Sequence, residues 1–221
     1  MVLLYNMEGK GLTGLANLGN TCFINSCMQV ISHTHEFNDF LDKDNGSYKD
    51  KLTAYHNKEY MIDSKLLVEW DNLRKLIWQK DQIISPGGFI KAIQFVARHK
   101  GKDIFTGYAQ NDLPEFLLFI LETFHNGMRR EVDMVIKGNV KTDTDGLAVK
   151  CYEMMRTMYS KEYSEILDIF YGIHISKIER EDGQLMSTTP EPYFMVDLPI
   201  QMKQGLSIYN CFEKCCEGER L

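Results

Sequence analysis

Apolar positions along this chain change their period once. From Phe23 to about Phe40 they recur at mixed three- and four-residue spacings (Phe23, Cys27, Val30, Ile31) with no Gly or Pro, which predicts one largely buried helix with Cys22 at its beginning. The polar stretch from Asp42 to about Ser64 carries a glycine turn signal and predicts a loop and connector in which substitutions cost little. Helical spacing returns at Leu66, Leu67, Trp70, Leu73 and Ile77. Ser85-Pro86 then predicts a cap, with Pro86 at the first helical position of a helix reaching about His99. After the Gly101-Lys102-Asp103 break, Phe116, Leu117, Phe119, Ile120, Leu121 and Phe124 occupy most of a helix circumference, so that helix is expected to be central to its domain.

Asp143 to Gly146 has turn chemistry, and residues from Leu147 to about Ser160 have helical spacing. Beyond them the period shortens to alternation at FYGIHISKI and YFMVDLPI, which predicts strands. Helices first and strands afterwards predict an α+β protein with a helical lobe over residues 1–165 and the start of a β region over 166–221. No internal repeat or low-complexity segment interrupts that order.

Composition narrows the function classes. The net charge of -6 is opposed to binding nucleic acid, which calls for a concentrated basic face, and suits a basic protein partner. The opening MVLLYNMEGK does not have the make-up of a signal peptide, and no stretch of about 18 apolar residues is present to span a membrane. An intracellular protein of cytoplasm or nucleus is therefore expected. Six unevenly spaced cysteines do not form a secreted disulfide framework; reduced thiols, one of them catalytic, suit them better.

The segment GLTGLANLGNTCFINSCMQ reads as a glycine turn delivering Cys22 onto the first turn of a buried helix. Unsatisfied N–H groups there, with the helix dipole, favour thiolate over thiol. Gly19 lets the backbone turn closely, Asn20 or Thr21 can cap the helix, and the Asn17 carboxamide with the Cys22 N–H can face a developing oxyanion. A small cysteine can equally fill a core, and only the length of the motif decides against that.

GLANLGNTCFINSCMQ resembles, nearly residue for residue, the cysteine box of the ubiquitin-specific proteases, and FTGYAQNDLPEFLLFILE is similar to that family's second landmark. The resemblance implies a papain-like fold with a helical thumb followed by the first strands of palm and fingers. It implies Cys22 as nucleophile, Asn17 in the oxyanion hole, and Gln110 and Asp112 beside the channel for the ubiquitin tail, whose arginines suit a carboxylate. The implied reaction is hydrolysis of the peptide or isopeptide bond after the terminal glycine of ubiquitin, with ubiquitin or ubiquitinated proteins as partners. Asp112 and Glu115 also suit ordinary helix-start chemistry, and Pro114 suits a first turn.

Many members carry a Cys-x-x-Cys half of a zinc site at the tip of the hairpin that FYGIHISKIEREDGQLMSTTPEPYF resembles. Glu179 and Asp182 stand there instead, and the cysteines of NCFEKCCEGERL match no zinc spacing, so neither metal nor cofactor is expected. On a single helix His33 and His35 would lie roughly 16 to 20 Å from Cys22. His56 falls in a connector, His99 and His125 end helices, where a positive charge suits the dipole, and His174 lies in a strand with no Gly-His-Tyr box around it. The resemblance thus covers nearly the whole chain but half of a catalytic domain, and without a histidine box the chain alone is expected to be inactive. A catalytically silent ubiquitin-binding module is the alternative.

Overall fold

The computed structural model describes residues 11–43, 46–52, 60–79, 81–107, 109–200, 202 and 205–218. In chain order it contains β1 (Gly14–Leu15), α1 (Cys22–Ser32), α2 (His35–Asp42), a 3₁₀ turn (Ser47–Lys51), α3 (Met61–Ile77), β2 (Ile83–Ile84) and α4 (Gly87–His99). A second 3₁₀ turn (Asp103–Phe105), α5 (Leu113–Met128), α6 (Asp143–Tyr159), α7 (Glu165–Phe170), β3 (Gly172–Glu179), β4 (Leu185–Tyr193) and α8 (Ile208–Cys215) complete it. The order of helices before a hairpin agrees with the α+β expectation.

Two compact units divide the chain. One holds the described residues of 11–137 together with Met155–Ile169; the other holds Gly138–Met154 and the described residues from 170 onward. In the first, α3 packs against α4 and α5 because its apolar residues fall on faces that both neighbours can cover. Trp70 is fully buried between Phe89 at 5.7 Å and Phe124 at 6.4 Å, and Phe37 of α2 joins Phe124 at 6.0 Å. β1 and β2 pair in parallel, with Gly14 opposite Ile83. In the second unit β3 and β4 form an antiparallel hairpin from Gly172–Tyr193 to Glu179–Leu185.

Several expectations need correction. The single helix expected from Phe23 to Phe40 is two, because Ser32 and His33 fold back on the last turn of α1. The Ser32 hydroxyl donates to the Gln29 carbonyl at 2.8 Å, His33 Nδ1 lies 2.8 Å from the same oxygen, and the Ser32 carbonyl accepts from Asn38 and Trp78 at 2.7 and 2.9 Å. The polar connector hides a core residue, since Tyr48 is fully buried and donates to Asp71 at 3.0 Å. Substitution there is therefore not cheap, and His56 lies outside the described residues. Pro86 stands one position before α4 rather than on its first turn.

The turn expected at Asp143 is the start of α6. Thr142 Oγ1 accepts from the Asp145 N–H at 3.1 Å while the Asp145 carboxylate accepts from Lys141 and Thr142 N–H at 2.9 and 2.8 Å, so the turn residues cap a helix. The YFMVDLPI run enters strand only as far as Tyr193, where β3 runs out of residues to pair with. At the hairpin tip Asp182 is occupied by the turn, accepting from the Gln184 N–H at 2.9 Å.

Candidate functional site

Cys22 is the first residue of α1 and is exposed. The first intrahelical bond runs from Asn25 N–H to the Thr21 carbonyl at 2.9 Å, so the N–H groups of Cys22, Phe23 and Ile24 have no partner within the helix. These donors and the positive end of the dipole lie where the sulfur is. Cys27, five residues on, is the opposite case: it is buried, and burial pushes its thiol up to about 11. Of the two thiols in the segment, only Cys22 is disposed for nucleophilic work.

The loop before Cys22 is built around Asn17. Its Oδ1 accepts from Thr21 Oγ1 at 2.9 Å, Thr21 N–H at 3.1 Å and Gly19 N–H at 3.2 Å. That bonding turns the carboxamide oxygen inward and leaves Nδ2 as the outward donor on an exposed residue. Gly19 at φ +97° and Asn20 at φ +50° form a left-handed pair that carries the chain back over Asn17. Neither Asn20 nor Thr21 caps α1 through its side chain, contrary to expectation; the Thr21 hydroxyl points backward into the loop.

Two residues that sequence reasoning passed over hold this loop in place. Asn25 Nδ2 donates to the Leu15 and Ala16 carbonyls, both at 3.2 Å, and Gln29 Nε2 donates to the Thr13 carbonyl at 2.8 Å. On its other side the same extended segment bonds β2 and the residue before it, from Gly14 N–H to the Gln82 carbonyl at 2.8 Å and from Ala16 N–H to the Ile84 carbonyl at 2.9 Å. The signal was present as polar residues at positions 17, 21, 25 and 29, a four-residue spacing that runs from the loop into α1.

The second landmark meets the first through packing. Phe23 of α1 contacts Phe116 of α5 edge-on at 5.1 Å, and Cys27 Sγ lies 4.0 Å from the Leu113 carbonyl. The first turns of the two helices are therefore neighbours. Asp112 stands at the N-cap of α5 rather than in its first turn, and accepts from the Glu115 N–H at 3.1 Å. Gln110 is exposed in the preceding loop, which α4 fastens through Gln94 Nε2 to the Gly107 carbonyl at 3.2 Å and Arg98 Nη2 to the Thr106 carbonyl at 3.3 Å. Asn111 Nδ2 closes that loop on the Ile104 and Ala109 carbonyls, both at 2.9 Å.

The described histidines have other occupations. His33 caps the end of α1 opposite Cys22, and His35 belongs to α2 rather than to an extension of α1; their rings lie 5.3 and 6.2 Å from Trp78. His99 Nδ1 lies 2.9 Å from the Phe95 carbonyl, and His174 Nε2 lies 3.0 Å from Glu191 across the hairpin. His125 Nδ1 lies 2.8 Å from Ser164 Oγ, and burial lowers its pKa, so the positive charge expected at this helix end is disfavoured. Among the described residues no group of three or more His, Cys, Asp or Glu is gathered in a manner that could hold a metal. No described helix is long and apolar enough to cross a membrane.

A family model described as ubiquitin carboxyl-terminal hydrolase matches residues 13–186. The chain is 33% identical over 204 residues to ubiquitin carboxyl-terminal hydrolase 2 of Bos taurus, a match covering 87% of this chain and 30% of that protein. It is 30% identical over 194 residues to ubiquitin carboxyl-terminal hydrolase 19 of Homo sapiens, covering 88% and 14% respectively. Against ubiquitin carboxyl-terminal hydrolase 15 of Xenopus tropicalis it is 30% identical over 210 residues, covering 91% and 20%. The matched region is thus less than a third of each of these relatives.

Proposed function

The chain belongs to the ubiquitin carboxyl-terminal hydrolase family, and from that premise we propose that it carries the nucleophile and oxyanion hole of a deubiquitinating thiol hydrolase. Cys22 Sγ attacks the carbonyl carbon of the terminal glycine of ubiquitin, and the new oxyanion accepts from the Cys22 N–H and Asn17 Nδ2. The C–N bond breaks, the amine leaving with the proton that the thiol gave up, and water then hydrolyses the thioester to the free carboxylate and the thiol. Gln110 and Asp112 face the ubiquitin tail, Asp112 by pairing its carboxylate with an arginine. Residues 1–165 act as the helical thumb lobe of the papain-like fold and 166–221 as the opening of palm and fingers. Six free cysteines suit a reducing compartment, cytosol or nucleus.

The observation that carries this reading is Asn17 saturated on its oxygen side while Cys22 stands exposed at the uncapped start of α1. A second reading, a ubiquitin-binding module without turnover, has its own support: each described histidine has a partner other than Cys22. For the same reason we propose that this chain alone turns over slowly or not at all. The test is release of a fluorogenic amine from the C-terminus of ubiquitin, with Cys22→Ala as control. Turnover lost in the variant supports the hydrolase, binding without turnover supports the silent module, and absence of ubiquitin binding sinks both.

A further inference from the structure

We propose that Thr21 is a positioning residue that holds the Asn17 carboxamide in the one orientation that presents Nδ2; this rests on the reading of Asn17 as an oxyanion donor. Thr stands at the N-cap position of α1, where its oxygen ordinarily accepts from the N–H groups of the first turn. Here the hydroxyl is turned backward. It accepts from Leu18 N–H at 3.1 Å, which directs its single proton to Asn17 Oδ1 at 2.9 Å. A helix start ordinarily stabilised by this side chain is left open, and the side chain is spent on the loop instead.

The selection of one orientation follows from donor chemistry. Gly19 and Thr21 N–H can only donate, so a flipped Asn17 would set its NH2 group against them. The backbone thereby chooses the face, and the hydroxyl of Thr21, a residue only 2% exposed, pins it. Left-handed Gly19 and Asn20 bring Thr21 back within reach. An amide so held meets the oxyanion without reorganising, which is the source of electrostatic stabilisation in such sites.

The test is 15N relaxation of the Asn17 side-chain amide in the 221-residue chain, with the kinetics beside it. Wild type and Thr21→Ser are expected to show an order parameter near that of rigid backbone, about 0.8, and Thr21→Val one below about 0.6. Thr21→Ala, which removes the hydroxyl without adding bulk, gives the same fall if valine disturbs the loop. In whatever turnover the chain shows, Thr21→Val lowers kcat ~10-fold at constant KM, while Asn17→Ala costs ~100-fold or more. Adding Thr21→Val to Asn17→Ala then changes nothing further, whereas a merely structural role would slow the double variant again. An Asn17 amide that stays ordered in both Thr21→Val and Thr21→Ala overturns the proposal, whatever the turnover. A loosened Asn17 in a chain that never processes ubiquitin upholds the positioning and overturns the functional reading alone.

Discussion

Replacing Gly127 by alanine sets a local gain against a tertiary loss. In the last turn of α5, where Gly127 stands, alanine is favoured over glycine by at most about 1 kcal/mol. A Cβ there would, however, lie 3.1 Å from the Asp63 carbonyl carbon and Ser64 N and 3.2 Å from the Asp63 carbonyl oxygen. All three are backbone atoms of α3, with no rotamer to yield, so α3 and α5 must separate by a few tenths of an ångström. Overpacking of this kind costs about 1–3 kcal/mol. It also stretches the buried bond from Ser64 Oγ to the Gly127 carbonyl at 3.0 Å, itself worth about 1 kcal/mol.

The net expectation is a loss of ~1–3 kcal/mol, or a urea midpoint lower by ~0.5–1.5 M for a slope of about 2 kcal/mol/M. Gly88→Ala in α4 is the control, because nothing lies within 4 Å of its Cβ. There only the propensity gain remains, and the midpoint should stay level or rise by up to ~0.5 M. A Gly127→Ala midpoint at or above wild type, or a Gly88→Ala midpoint lowered as much, would refute the close-approach argument.

Asp112 separates a cap from a substrate contact. Asn caps as well as Asp, so Asp112→Asn should leave the thermal midpoint unchanged and Asp112→Ala should cost ~1 kcal/mol. If the carboxylate pairs with an arginine of the ubiquitin tail, both variants weaken ubiquitin binding about tenfold, ~1.4 kcal/mol. Equal binding by wild type and Asp112→Asn, measured by titration calorimetry, would leave Asp112 as a cap alone. For Glu165, burial by itself would raise the carboxyl, but hydrogen bonds from Arg130 and Lys51 hold it at about 2 against an ordinary 4.5. A depressed carboxylate stabilises fully above its unfolded value, and that stability is lost as pH falls from 4.5 through about 2. Urea unfolding at about pH 6 and about pH 3 should therefore show wild type losing ~2 kcal/mol more than Glu165→Gln. An equal loss in both would remove Glu165 from the account.

Much of this protein could be read before any coordinates. The buried stripes at Leu66–Ile77 and Phe116–Phe124 carry the helical period in their own spacing, and the glycine turn ahead of Cys22 marks a helix start without reference to anything distant. Family membership followed from two contiguous motifs for the same reason. Local pattern was less informative where one residue type serves two ends. Asp143-Thr144-Asp145-Gly146 looks like a turn and starts a helix; Ser32-His33-Thr34 looks like helix and breaks one.

What the tertiary structure alone decided are the pairings between residues far apart in the chain. Phe23 on Phe116 brings the two motif-bearing helices together, and Tyr48 on Asp71 makes a core residue of a polar connector. Asn25 and Gln29 become supports of the Cys22 loop only because the extended segment at Thr13–Ala16 passes beside them. A chain's period reports which face of an element is apolar, since it depends on residues one turn apart. Which polar group finds a partner depends on what that face meets, and that is set only when the whole chain has packed.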